Sequence, residues 1–147
     1  MDLLRELLGN KMIATPALAW VAAQFSKTII DSLRRHHVNP RLLVGSGGMP
    51  SAHSAFACGL STAVWFAQGA GSAAFAISAA FAAVVMYDAA GVRQAVDRQS
   101  EILTHILTHV PRTHDDFDRF LEGLVGHTRL QVLAGALLGI AIGALLH

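Results

Sequence analysis

An all-α bundle of membrane helices is the fold class that the sequence predicts, and three observations carry the prediction. Hydrophobic residues make up 53% of the 147-residue chain and charged residues only 14%, against about 25% charged in an average soluble domain. Mean hydropathy is +0.47. Apolar residues come in long runs between short polar loops, with neither strand-like alternation nor an internal repeat. The length suits a single domain over residues 1–147.

Taken in order, residues 12–33 read as a helix that is apolar on most faces, with Pro16 near its start. Residues 51–67 and 72–90 form two further apolar runs, separated by the uncharged turn Gln68-Gly69-Ala70-Gly71-Ser72. Residues 92–110 continue as an amphipathic helix carrying Arg93, Asp97, Arg98 and Glu101, and Pro111 ends it. After the polar loop Arg112 to Asp118 comes a short helix near 115–124, then Gly126-His127, then a last apolar helix over 129–146. The expectation is about four membrane helices plus one or two short amphipathic ones. The runs 51–67 and 72–90 are short of the roughly 20 residues that a spanning helix usually needs. Polar residues at their ends then count toward the crossing, or the helices lie partly within the protein. A compact soluble bundle is the competing architecture.

Charge narrows the function classes. A net charge of +1 and the lack of a basic run exclude nucleic acid as the expected partner. The lone Cys58 cannot form an intrachain disulfide and reads as a small buried hydrophobe. Met1 to Asn10 carry Asp2 and Glu6, so no signal peptide is expected. Four crossings would put the termini and the 68–72 turn on one side, with Arg5 and Lys11. Arg34, Arg35, Arg41, Arg93, Arg98, Arg112, Arg119 and Arg129 would lie on the other. The positive-inside rule then makes the arginine-rich side cytoplasmic.

The most chemically loaded stretch is Gly45-Ser46-Gly47-Gly48-Met49-Pro50-Ser51-Ala52-His53. Glycines let backbone N–H groups approach an anion, Pro50 is placed to open a helix, and the free N–H groups of a helix start attract phosphate. Ser-x-His before a helix is equally an ordinary N-cap arrangement. The four-crossing topology brings Lys27 and Arg34, about two turns apart on one face, to the same membrane face as Ser51, His53 and His127. A lysine within an apolar helix is a functional hypothesis, or else it snorkels to the interface. His53 and His127 each sit at a helix N-terminus, where the dipole favours an anion. Two cations, two helix starts and two histidines make a phosphate site.

Lys27-x6-Arg34, then Pro50-Ser51-Ala52-His53, then His127-x3-Gln131 resembles the three-part signature of the type 2 phosphatidic acid phosphatases, a superfamily shared with bacterial acid phosphatases and vanadium haloperoxidases. Its pattern is Lys-x6-Arg-Pro, Pro-Ser-Gly-His and Ser-Arg-x5-His-x3-Asp. The stretches Gly47 to Ala55, Tyr87-Asp88-Ala89-Ala90-Gly91-Val92-Arg93, Gly126-His127-Thr128 and Val132 to Gly139 are more closely similar to the divergent branch of that superfamily, small membrane proteins of bacteria and plants. The resemblance covers Lys27 to about Gly139. It implies an integral protein of the bacterial inner membrane, a lipid phosphate as substrate, and no metal or other cofactor. It also implies that His127 attacks phosphorus as nucleophile, and that Lys27, Arg34, Ser51 and the glycine-loop amides, Gly48 among them, hold the phosphate oxygens. His53 protonates the leaving oxygen and then activates water. Vanadate is expected to bind as a mimic of the pentacoordinate state.

Two positions depart from the pattern. The superfamily arginine six residues before the nucleophile falls on Leu121, with Arg119 out of phase. Gln131 stands where Asp usually orients the nucleophile; its carbonyl can accept the Nδ1–H but cannot stabilise an imidazolium as a carboxylate does. Arg93 is the candidate replacement ligand, with Asp88 supporting it and Gly91 allowing close packing; an ordinary interfacial Asp–Arg pair is the alternative. The expected function is therefore hydrolysis of a phosphate monoester or pyrophosphate on a lipid. The runner-up is a phosphatase-like protein that binds phospholipid or anion without turnover. A transporter or scaffold would leave Lys27, His53 and His127 without shared purpose.

Other features have plainer readings. His105 and His109, with His114, Asp115, Asp116 and Asp118, have metal-ligand spacing, and an exposed amphipathic helix followed by a polar loop explains them equally well. His36-His37 reads as an interfacial cluster. Gly135-x3-Gly139-x3-Gly143 and Gly69-x-Gly71 suggest close helix packing, within one chain or between copies in a homo-oligomer.

Overall fold

The computed structural model describes residues 9–35, 48–107 and 128–147, which form the helices α1 (Lys11–Arg35), α2 (Ala52–Gln68), α3 (Ala73–Leu107) and α4 (Arg129–Leu146). No strand occurs among the described residues. The expected bounds agree to within a residue or two, except that the amphipathic stretch after residue 90 is a continuation of α3 instead of a separate helix. The short helix expected near 115–124 lies outside the described residues, as do Arg112, His114 and Asp118.

Each helix start has a local cause. Asn10 caps α1: its side-chain oxygen accepts from the Met12 N–H at 3.0 Å. Ser51 caps α2 and accepts from the Ser54 N–H. Pro50 therefore stands just before the cap and not at the first helical position. Ser72 accepts from the Phe75 N–H at 3.1 Å at the head of α3. Thr128 and Gln131 form a reciprocal capping box on α4. Gly69 closes α2 with φ 80° and donates its N–H to the Trp65 carbonyl. A Cβ at Gly69 or Gly71 would meet nothing within 4 Å, so neither glycine packs against another described helix of the same chain.

Helix α2 is the centre and touches the other three. It runs parallel to α4, because Gly135, Gly139 and Gly143 face Ser51, Ala55 and Thr62 in step. A Cβ added at Gly135 would strike the Ser51 carbonyl oxygen, and one at Gly139 the Ala55 carbonyl oxygen. At Gly143 it would lie 2.6 Å from the Thr62 side chain. Helices α1 and α3 run antiparallel to α2: Ala19 and Pro16 of α1 pack on Gly59, while Cys58 meets Met86 and Ser61 meets Ser78 of α3. The ends of α1 and α4 are tied where Lys11 Nζ donates to the Leu146 carbonyl at 2.9 Å. The small-residue run of α4 thus acts within one chain.

The distribution of residues is the reverse of a water-soluble bundle. Alanines fill the interior (Ala19, Ala23, Ala55, Ala57, Ala63) together with the polar Thr15, Gln24, Lys27, Ser51, Ser54 and Thr62. Phe25, Ile29, Leu33, Ile77, Phe81, Val84, Leu133 and Leu137 face outward. Burying a side chain of that size is worth about 1.5–3 kcal/mol, so this many turned outward suits hydrocarbon better than water. Two stretches, Ala73–Gly91 and Arg129–Leu146, are long and apolar enough to cross a membrane. Helix α2 has 17 residues, and α1 carries a polar stripe that lowers its apolarity. Neither of these two is among the stretches long and apolar enough to cross.

The seam between α2 and α4 yields a prediction. Gly139→Val inserts bulk against backbone that cannot move aside, and should lower stability by about 1–3 kcal/mol. Leu137→Val, on the outward face, should leave it within about 0.5 kcal/mol. Thermal unfolding of both variants in detergent checks this.

Candidate functional site

Helix α1 places Gln24 and Lys27 one turn apart on its inward face. Lys27 is only 2% exposed. Its Nζ donates to Gln24 Oε1 at 2.7 Å, and Thr28 Oγ1 donates to the Gln24 carbonyl at 2.9 Å, holding that turn. Over the lysine stem lies Gly48, with φ 78°. A Cβ at Gly48 would sit 2.8 Å from Lys27 Cγ and 3.0 Å from Cδ. Glycine is required here twice, for the left-handed backbone and for the space the stem occupies. The loop and the buried cation are thereby locked together.

From Gly48 the chain passes through a cis Met49–Pro50 bond to Ser51. Ser51 is fully buried, and its Oγ accepts from Ser54 N at 3.4 Å and from Ser54 Oγ at 3.2 Å. Its own N–H donates to the Gln131 carbonyl at 2.9 Å. That bond ties the start of α2 to the first turn of α4. Two helix N-termini, each a partial positive charge of roughly half a unit, consequently lie side by side next to the loop that covers Lys27. His53, in the first turn of α2, is exposed.

The structure thus brings Lys27, Gly48, Ser51 and Gln131 into one neighbourhood, with His53 in the adjoining turn. Arg34 lies in the last turn of α1 and Arg93 on α3, and their side chains lie outside those described; His127 lies outside the described residues altogether. Asp88 is exposed on α3. A Cβ at Gly91 would meet nothing within 4 Å, so the close packing expected there is not seen among the described residues. Gln131 Oε1 accepts from the Thr128 N–H at 2.8 Å, and Thr128 Oγ1 accepts from the Gln131 N–H at 3.2 Å. The carbonyl read from sequence as the orienting group for His127 is therefore engaged in the helix cap. Among the described residues no cluster of three His, Cys, Asp or Glu side chains could hold a metal; His109 and the acidic run 115–118 lie outside them. Gln24 is the site residue that the sequence reading does not name, and its one signal is the i, i+3 spacing from Lys27.

Residues 8–142 match the family described as the divergent PAP2 family. An uncharacterized membrane protein of Bacillus subtilis (strain 168), YuiD, is 32% identical over 148 residues, covering 93% of this chain and 94% of the relative. No solved structure matches the chain significantly.

Gly48 and Gly69 make a controlled pair. Both have positive φ, yet only Gly48 has a side chain beneath it. Alanine at either position should cost about 1–3 kcal/mol through backbone strain. Gly48→Ala should cost more than Gly69→Ala because the Lys27 stem must also be displaced, a difference read from the two melting temperatures. The capping box gives a third value: Thr128→Ala should lose about 1 kcal/mol.

Proposed function

The chain belongs to the divergent PAP2 family, and on that footing we propose that it is a membrane phosphatase acting on a phosphate monoester or pyrophosphate carried by a lipid. The observation that supports this most is the buried Lys27 ammonium, held under Gly48 at the end of the bundle where the N-termini of α2 and α4 meet. A buried cation next to two helix starts is an environment for a dianion. In the proposed reaction an imidazole nitrogen of His127 attacks phosphorus, and the bond from phosphorus to the lipid oxygen breaks. His53 gives its proton to that leaving oxygen. Water then attacks the phosphohistidine, His53 takes its proton, and orthophosphate leaves with His127 restored. Lys27, Arg34, Arg93 and the backbone N–H groups around Gly48 and Ser51 carry the charge on the non-bridging oxygens. All four helices cross the bilayer in this reading, and the arginine-rich side, cytoplasmic by its charge, holds the site.

A second reading, phosphate or phospholipid binding without turnover, is favoured by one observation. Gln131 Oε1 is engaged by the Thr128 N–H, so the position that usually supplies a carboxylate to the nucleophile supplies a helix cap here.

The two readings separate in one assay. Purified protein in detergent is expected to release phosphate from at least one member of a panel of phospholipids and prenyl pyrophosphates, and His127→Ala to reduce release at least about a thousandfold. No release by the wild type, with vanadate still bound, would select the binding protein.

A further inference from the structure

We propose that the face of α2 left open between α1 and α3 is a groove for one hydrocarbon chain of the lipid whose phosphate the site takes. The inference rests on the phosphate-site reading of that end of the bundle. Helix α4 packs on α2 along Ser51, Ala55 and Thr62. Helix α1 packs at Gly59, and α3 at Cys58 and Ser61. These two flanking helices pack on α2 and far less on each other. The face they leave open carries His53, Phe56 and Leu60, spaced three and then four residues apart and therefore in one row. His53 is exposed, Phe56 is 39% exposed and Leu60 is half-buried. Val64 continues the row and is buried, so the row is covered at its far end.

Position and chemistry select the occupant. The row begins in the first turn of α2, at the end of the bundle where the starts of α2 and α4 are joined. Those two helix starts favour an anion, and the row below His53 is apolar. Together they complement a molecule with an anionic head and an oily tail. From His53 to Val64 the helix rises about 16 Å, and the hydrocarbon of one leaflet is about 15 Å deep, half of the bilayer core. A chain laid along the row reaches Val64 as its phosphate reaches the helix starts. A soluble phosphate ester would use the charge and leave the row empty, and a second copy of the chain would use the row and leave the charge.

Leu60→Trp fills the row, and Leu133→Trp adds the same bulk on the outward face of α4. Folded, monodisperse protein in detergent is loaded with vanadate, which is then displaced by dodecylphosphonate or by methylphosphonate; neither has an ester oxygen to release. In the wild type the dodecyl compound should bind at least about tenfold more tightly than the methyl compound. Leu60→Trp should cut that advantage at least about fivefold, and Leu133→Trp less than about twofold. An advantage that is absent from the wild type, kept in Leu60→Trp, or lost equally in Leu133→Trp overturns the groove while leaving the phosphate site intact. A smaller particle mass for Leu60→Trp than for the wild type assigns the row to a second copy and overturns the groove as well. Failure of the wild type to bind vanadate at all overturns the phosphate-site reading together with it. If Leu60→Trp does not fold, Phe56→Trp takes its place at the more exposed position of the row, and the same loss is required of it.

Discussion

The close approach of α2 and α4 is the constraint on which the rest of this structure depends. Gly135 and Gly139 let one helix lie against the backbone carbonyls of the other, with no side chain between them. Contact of this kind draws its energy from packing and not from the exclusion of water, which is how helices associate in hydrocarbon. It also fixes register, because glycines four residues apart admit Ser51 and Ala55 in step. Register in turn sets Ser51 beside Gln131, where one backbone hydrogen bond joins the starts of the two helices. Had the pair been antiparallel, the two partial positive charges would stand at opposite ends of the bundle. The electrostatics of the site thus follow from the packing of small residues.

Lys27 shows what that packing permits. A cation inside an apolar bundle is unstable unless polar groups surround it. Here one such group comes from α1 itself, through Gln24, while Gly48 of the loop ahead of α2 packs against the lysine stem. Many apolar side chains that a soluble protein would turn inward lie on the outside, and among the described residues the interior is mostly alanine, serine and threonine, with Gln24 and Lys27 among them. A polar centre within an apolar shell is a consistent arrangement only if the surroundings are themselves apolar, and the family membership and the membrane-protein relative agree with it.

Much of this was legible in the sequence, for identifiable reasons. The four described helices were legible from their long apolar runs, and of their caps the one at Ser51 was read, while those at Asn10, Ser72 and Thr128 show only in the hydrogen bonds. The neighbourhood of Lys27, Gly48 and Ser51 was legible because ordered motifs place them at one end of the bundle. What periodicity could not supply was the partner of a given polar atom. The capping role of Gln131 is one such case: it shows only in the hydrogen bonds to Thr128, while His127 lies outside the described residues. Gly91 and Gly69 look like packing glycines by type, but spacing does not say whether anything lies across from them. The continuation of α3 past residue 90 was hidden by a change from apolar to amphipathic character, which alters the surroundings of a helix without ending it. Gln24 carried no signal beyond its distance from a lysine.

A centre built of alanine, glycine and serine has a consequence for how such a chain can change over generations. Most single-base changes at those positions introduce a larger side chain, so the interior is damaged by gain of volume and has little left to lose by truncation. The outward leucines, isoleucines and phenylalanines are interchangeable so long as they stay oily. Volume can be added freely only at the rim of the bundle, while in the middle nearly every change short of alanine to glycine adds bulk.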